Sequence, residues 1–291
     1  MKIKTEDYLA KTPVDLSEVP TCEDFGKSGK KLEKELEKVR VDLGDFQNTL
    51  YAHGKYGVLI CIQGMDTAGK DSLIREVFKD FNARGIVVHS FKKPSELELR
   101  HDFLWRHYIA LPEKGKFSVF NRTHYENVLI SRVHPELVLT EKIPGIHSVE
   151  DITPEFWQER FHQINHFEEH IEKTGTIVFK FFLHISKDEQ KSRLLRRLRK
   201  KNKNWKFSPD DLKERKLWED YQSYYEDAIN NTSTKEVPWY IIPSDNKDAA
   251  RFIVTKIMYE ELKKFKDIKE PTLDTSIQKN IDSFIEQLKQ E

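Results

Sequence analysis

The chain has 291 residues, 37% hydrophobic and 34% charged, which is room for one large α/β domain or two small ones with long solvated faces. Lysine plus arginine and aspartate plus glutamate each number 49, so the formal net charge is zero; a general nucleic-acid coat is excluded, and any anion site must be a local cluster. Cys22 and Cys61 are the only cysteines, which excludes a disulfide framework or zinc spacing and fits a reducing cytoplasm; no run approaches the ~20 apolar residues of a membrane span.

The opening stretch MKIKTEDYLAK lacks an apolar signal region. Residues 1–28 are polar with scattered prolines and read as an extended arm. Leu32, Leu36, Val39, Leu43, Phe46 and Leu50, at spacings of three and four, predict a helix over 29–53. Val58 to Ile62 is a continuous apolar run, the composition of a strand buried on both faces. A glycine loop follows, and Leu73, Ile74, Val77 and Phe78 then carry a helical pattern. Ile86–Phe91 reads as a second strand ending in Lys92-Lys93, and a helix is expected over Leu97–Leu111, broken at Pro112. Phe117–Phe120 is a third strand leading into Asn121-Arg122, with a helix over Val128–Val133. Pro154–Lys173 is a long helix and Thr176–His184 a fourth strand. Lys187–Lys201 and Pro209–Asn230 are charged helices, read together as a lid over about 187–232. Trp239–Ile242 is a fifth strand and Ala249–Lys264 the last long helix; the polar tail 267–291 carries a short amphipathic end at Ile281–Leu288. Strands alternating with helices imply a parallel sheet covered on both faces, with one domain over 29–266 and ligands beyond the C-terminal strand ends.

Gly64-Met65-Asp66-Thr67-Ala68-Gly69-Lys70, between strand and helix, is the GxxxxGK pattern of a P-loop. Its glycines let backbone N–H groups turn inward around a phosphate, and Lys70 and the helix N-terminus add positive charge. Asp71 stands where Ser or Thr normally holds Mg²⁺, and Ser72 comes one place late. A bare carboxylate in an anion-binding turn repels phosphate unless a cation lies between them, so Asp66 reads as a Mg²⁺ ligand; a role in orienting the acceptor oxygen stays open. Arg122 after the third strand suits a phosphate clamp, and Glu126 one turn on can face the same crevice, where an acid positions Mg²⁺ or its water; an N-capping loop with surface charges is the plainer alternative. Lys191–Lys206 carries nine cations without an acid, among them Arg193, Arg196, Arg197, Lys200 and Lys206. Either a polyanion site or a solvated face neutralised by Asp210, Asp211, Glu214, Glu219 and Asp220 accounts for it, and the nearby P-loop favours the former.

The segments GMDTAGKDS, SFKKPSELELRHDFLWRHYIALPEKG, FNRTHYENVLISRVHPE and WKFSPDDLKERKLWEDYQSYYEDAINNTSTKEVPWYIIPSDNKDAAR run in order and resemble the polyphosphate kinase 2 family over about residues 30–265. The resemblance implies an α/β, thymidylate-kinase-like P-loop fold, a parallel five-stranded sheet flanked by helices with a helical lid. It implies phosphoryl transfer, in either direction, between inorganic polyphosphate and AMP, ADP and guanine nucleotides. Mg²⁺, with Mn²⁺ as a substitute, would be the cofactor, and a homodimer or homotetramer without nucleic-acid or membrane partners the assembly. Asp66 and Lys70 match its P-loop aspartate and lysine; Asn121-Arg122 falls where many members have Asp-Arg, and Glu126 where those have Asn, a pattern resembling the subfamily that accepts both mono- and diphosphates. Arg193 and Arg197 resemble lid arginines, and Lys206 and Arg215 fall in recognisable lid segments. The mechanism so implied puts Asp66, Lys70, Arg122 and Glu126 at the chemistry. Gly64, Thr67, Ala68, Gly69, Asp71, Ser72, Lys92, Lys93, Asn121 and Arg132 would hold phosphate or nucleotide, and Arg193, Arg196, Arg197, Lys200, Lys206 and Arg215 polyphosphate. The rivals are an ATP-dependent nucleoside or nucleotide kinase and a non-enzymatic nucleotide or RNA binder.

Overall fold

Strand β1, Gly57–Gln63, is buried at all seven residues, as its unbroken apolar run requires of a strand covered on both sides. The computed structural model describes residues 3–26, 29–201, 204 and 207–291. β1 is the middle of a five-stranded, all-parallel sheet with β2 (Ile86–Ser90), β3 (Phe117–Asn121), β4 (Thr176–His184) and β5 (Trp239–Pro243), in the order β2-β3-β1-β4-β5. Ile60 stands opposite Val119 of β3 and Phe179 of β4, so the P-loop and the residues after β3 emerge at the same edge. Helices α1 (Gly29–His53), α2 (Lys70–Val77) and α10 (Lys247–Leu262) build a large core in which Leu32, Leu36, Leu43 and Leu50 of α1 are buried as their spacing predicts. A smaller cluster around Leu59, Cys61, Phe120 and Phe167 fills the opposite face, beneath α6 (Pro154–Lys173).

Several segments differ from their expected form. No continuous helix spans 97–111: a 3₁₀ turn at Glu98–Arg100 and the short α3 (Trp105–Tyr108) replace it. Ser95 and Glu98 cap the first turn reciprocally, the Ser95 N–H donating to Glu98 at 2.6 Å and the Glu98 N–H to Ser95 Oγ at 3.3 Å, while Asp102 accepts at 2.9 Å from the Leu104 N–H, a donor that a continuous helix needs, and so starts a separate turn. Residues 124–139 likewise break into a 3₁₀ turn (His124–Val128), α4 (Ile130–Val133) and α5 (Glu136–Leu139). The charged region forms α7 (Lys187–Arg199), α8 (Asp210–Lys216) and α9 (Trp218–Thr232), the last two parting at Leu217. The tail helix, α11 (Thr275–Gln290), is longer than the expected 281–288 because Asp274 caps it, accepting from the Ser276 N–H at 2.8 Å. The N-terminal residues run along the open edge of β5: Leu9 bridges Tyr240 and the Ala10 N–H donates to Trp239 O at 2.9 Å, which covers an otherwise unpaired strand edge.

The most demanding feature of the core is ionic. Lys180, in the middle of β4, and Glu168, on α6, are both buried and meet at 2.6 Å. The lysine also donates to Thr232 O at 2.7 Å, while Glu168 Oε1 accepts from Tyr125 Oη at 2.7 Å and His124 Nε2 at 3.0 Å. Burial alone would raise the Glu168 carboxyl, but Lys180 and His124 hold it below the usual carboxylate range. Replacing one partner strands the other charge, so Lys180→Met should lower stability by about 3–5 kcal/mol in urea unfolding. Lys180→Met with Glu168→Leu should recover part of that loss; a double variant as unstable as the single one would show that the stranded carboxylate is not its cause.

Candidate active site

The glycine loop leaves β1 through Gly64 (φ 149°), Thr67 (φ 67°) and Gly69 (φ 113°). A Cβ on Gly64 would lie 2.9 Å from Leu183 O, so the first glycine is set by close passage over β4 as well as by φ. Lys70 opens α2 and donates back to the carbonyls of Gly64 at 2.5 Å and Met65 at 3.3 Å. Burial lowers the Lys70 ammonium from its ordinary range, opposed by Asp66 and Glu126 and reinforced by Arg122.

After β3, Arg122 sits at φ 61°, a left-handed conformation unfavourable for a residue with a Cβ and held here by its neighbours. Thr123 accepts from the Tyr125 N–H at 3.1 Å and from Gln63 at 3.2 Å, while His124 and Tyr125 are anchored on Glu168. Arg122 Nη2 thereby lies 3.5 Å from Asp66 Oδ1. Burial works against the Arg122 charge, but Glu126 and Asp66 outweigh it and raise its pKa.

Two clefts open along this edge. One, of about 160 Å³, is lined by Asp66, Lys70, Gln190, Arg215 and the carboxylates of Asp211 and Glu214. The other, of about 260 Å³, has an apolar wall of Phe91, Leu99 and Phe103, with Lys92, Lys93, Asp102 and Arg106 at its polar side. Arg122, Glu126 and Ile130 line both. Asp66 and Glu126 thus face one space. Asp211 and Glu214, three apart on α8, join them there, although the sequence presents these two only as neutralisers of the basic run. Asp211 is raised above the usual carboxylate range, by burial first and then by the nearby Asp66, a crowding of anions that a cation would relieve. Among the described residues no three histidine, cysteine or carboxylate side chains converge as a closed metal cage. Mg²⁺ needs none, since it keeps several waters and binds through one or two carboxylates plus substrate phosphates; the open carboxylates of Asp66 and Glu126 fit that demand.

Other expected site residues lie elsewhere or are otherwise engaged. Arg132, expected on phosphate, lines neither cleft: it pairs with Asp227 and stacks 4.3 Å from the Tyr224 ring centroid, joining α4 to α9. Arg193, expected on a polymer track, is buried beneath the P-loop and donates to Thr67 O at 3.0 Å and Ala68 O at 2.7 Å. Asn121 donates to Asp71 at 2.9 Å and Ser90 at 3.4 Å, and Ser72 Oγ to Gly69 O at 2.9 Å. Arg197 pairs with Asp211 at 2.8 Å, and Arg215 donates to Gln190 Oε1 at 2.6 Å. Arg196 and Lys200 are exposed toward the far end of α7, and Lys206 lies outside the described residues. Arg106 escaped the sequence reading; it is buried, donates to Lys92 O at 2.9 Å and lies over Phe91. Its only signal, an arginine between Trp105 and His107 in a stretch that also holds Arg100, does not separate a cleft residue from a surface one.

A parallel sheet whose central strand delivers a GxxxxGK loop into a helix, with a cation-bearing turn after the next strand and charged helices above, defines a kinase of the P-loop class. The chain belongs to the polyphosphate kinase 2 family, whose model matches residues 26–270. It is 44% identical over 269 residues to the ADP-polyphosphate phosphotransferase of Rhodopseudomonas palustris, spanning 91% of this chain and 92% of that one. It is 42% identical over 232 residues to the AMP/ADP-polyphosphate phosphotransferase of Meiothermus ruber, spanning 79% and 78%. The crystal structure of polyphosphate kinase 2 from Arthrobacter aurescens TC1 superposes with a TM-score of 0.86 at 32% identity, over 97% of this chain and 96% of that one.

The placement of Arg132 is testable. Arg132→Met should lower the unfolding temperature, through loss of its ion pair and cation–π stack, and leave KM for the substrates at the wild-type value. A raised KM with an unchanged unfolding temperature would return Arg132 to the substrate site.

Proposed function

We propose that this enzyme transfers the terminal phosphoryl group of inorganic polyphosphate to AMP and ADP, and the reverse, with Mg²⁺ and with Mn²⁺ as a substitute; guanine nucleotides are also accepted. The observation that carries this reading is the meeting of two chemically different clefts at Arg122 and Glu126. The apolar cleft suits a nucleoside, with Phe91, Leu99 and Phe103 against the base and Lys92, Lys93 and Arg106 toward its phosphates. The P-loop cleft suits a phosphate chain without a base. The names of the relatives support polyphosphate as donor and nucleotides as acceptors. The enzyme is taken to act in the cytoplasm as a homodimer or homotetramer, with 187–232 as lid; among the described residues no helix is long and apolar enough to cross a membrane.

In the forward reaction a terminal oxygen of the nucleotide attacks the terminal phosphorus of polyphosphate. The bridging P–O bond breaks, and the shortened polymer leaves with the electron pair on oxygen. Little covalent chemistry is asked of the protein. Lys70 and the loop N–H groups hold the phosphate chain, and Arg122, facing both clefts, stabilises the charge that spreads over the equatorial oxygens. Asp66 and Glu126 would hold Mg²⁺, which would supply charge neutralisation at the phosphates. Arg196, Arg197 and Lys200 steer the rest of the polymer. The deciding assay offers AMP, ADP and GDP each with polyphosphate and Mg²⁺, beside the same acceptors with ATP. Transfer from ATP but not from polyphosphate would overturn the reading in favour of a nucleotide kinase.

Asp66→Asn should remove most activity while the circular-dichroism spectrum is kept; near-normal turnover in Mg²⁺ would sink the metal assignment. Glu126 bears on the acceptor. The AMP phosphate ends one phosphate short of ADP, and both must bring an oxygen within about 3–3.5 Å of the transferred phosphorus. A second carboxylate at the junction of the clefts supports the shorter acceptor. Glu126→Asn should therefore lower kcat/KM for AMP more than for ADP at matched free Mg²⁺. Equal losses would make Glu126 a general metal ligand.

A further inference from the structure

Five consecutive carbonyls of the phosphate loop each accept from a side chain. Lys70 takes Gly64 and Met65, Gln190 Nε2 takes Asp66 O at 3.1 Å, and Arg193 takes Thr67 and Ala68. Two of these three donors come from α7, the helix that carries the basic run. Arg193 is 4% exposed. Its Nη2 donates to Ser244 O at 2.5 Å and Asp245 O at 2.9 Å, between β5 and α10, and its Nε donates to Glu189 at 2.7 Å. A guanidinium has five N–H donors, and here five acceptors are served, which leaves none for a substrate.

We infer that Arg193 is a positioning residue of the phosphate cradle, acting through the loop backbone, and that the polymer-facing cations of α7 begin beyond it. This rests on the reading of the P-loop as the phosphate site. A trans peptide is planar, so a carbonyl held on one side sends the next residue's N–H to the other. Arg193 fixes the two peptide units that carry the N–H groups of Ala68, which closes the loop's own turn by donating to Met65 O at 3.1 Å, and of Gly69. It also supports the left-handed Thr67, whose backbone conformation costs energy in a free loop. A charged donor on the carbonyl oxygen polarises the peptide and strengthens the N–H on its far side. Arg193 therefore orients and sharpens the cradle where the loop passes into α2, and through Ser244 and Asp245 it locks the cradle to the end of β5. Gln190, one turn earlier, does the same for Asp66 O and so fixes the backbone from which the Asp66 carboxylate projects.

The test compares Arg193→Met, Arg193→Lys and the exposed Arg196→Gln, assayed well below each unfolding temperature. Readouts are kcat, KM for polyphosphate, and the slope of log polyphosphate affinity against log salt. For Arg193→Met we expect kcat to fall ~10- to 100-fold, the usual range for a residue that orients a site through another group, with the salt slope unchanged. Lysine keeps the charge but not the five-way geometry, so Arg193→Lys should be nearly as slow. Arg196→Gln should show the opposite, a shallower salt slope with a raised KM for polyphosphate. A slope shallower by about one contact in Arg193→Met, restored in Arg193→Lys, would place Arg193 on the polymer and overturn the inference. A lowered unfolding temperature with wild-type kcat would show a purely structural role and overturn it equally. Should Arg193→Met not fold, Arg193→Lys and Gln190→Met carry the comparison, Gln190→Met with a smaller loss of kcat. Wild-type turnover with polyphosphate tests the underlying reading by itself, so its failure is distinguishable from that of Arg193.

Discussion

A lysine ammonium without access to water sits at the centre of the sheet, and much of the site geometry follows from what that charge requires. Lys180 must have a counter-charge, and Glu168 supplies it from α6. Glu168 in turn has lone pairs to satisfy in a dry core, and takes His124, Tyr125 and Lys180 as donors. Those two aromatic residues lie two and three places after Arg122. The ion pair therefore fixes the turn after β3, holding the arginine in a left-handed conformation that a loose loop would abandon. Lys180 also donates to Thr232 O, the last residue of α9, so the same charge ties down the end of the charged helices. A buried ion pair is weak evidence for stability in itself, so what the pair confers here is a fixed turn geometry.

The second constraint is the balance of charge at the cleft. The chain is neutral overall, yet the edge of the sheet gathers Lys70, Arg122 and Arg215 with Asp66, Glu126, Asp211 and Glu214. A cleft built only of cations would bind a polyphosphate chain and not release it; one built only of acids would repel it. The interleaving suits a substrate that arrives with metal ions on its oxygens, because the acids meet the metal and the bases meet the phosphate. It also accounts for the raised Arg122 and Asp211 within one cleft, since each charge there is set by its neighbours as well as by burial.

The strands and the P-loop were legible because buried parallel strands are written as continuous apolar runs and a phosphate loop needs glycine at fixed places. The segment 97–111 was not. Its apolar spacing suits a helix, but Asp102 takes the Leu104 N–H and starts a second turn there, a competition that periodicity does not register. Arg132 shows a related limit: an arginine near a phosphate motif looks like a clamp until its partner Asp227, 95 residues away in sequence, is known. Asp211 and Glu214 carried a usable signal in their shared helix face, but proximity to the basic run gave them a plainer explanation. The P-loop aspartate and lysine, with Arg122 and Glu126, line the clefts as their motifs implied.

The basic helix shows most clearly where reading by charge runs out. Arg193, Arg197 and Lys200 share a face by spacing, and as a face they look like one cationic track. A single helix face nevertheless passes from buried to exposed along its length when one end lies under a loop and the other projects beyond the sheet. Arg193 is at the buried end, Arg197 is partly covered and engages Asp211, and Lys200 is exposed. Burying a guanidinium is tolerable only where acceptors surround it, and backbone carbonyls are suited to that because they bring no full charge into the core. The P-loop has such carbonyls in series, since a loop that turns its N–H groups toward phosphate must turn carbonyls the other way. An arginine one helix away from a P-loop is therefore as well suited to the back of the cradle as to the substrate in front of it. What decides between the two is the number of acceptors within reach, a property of the fold that no count of positive charges along the chain contains.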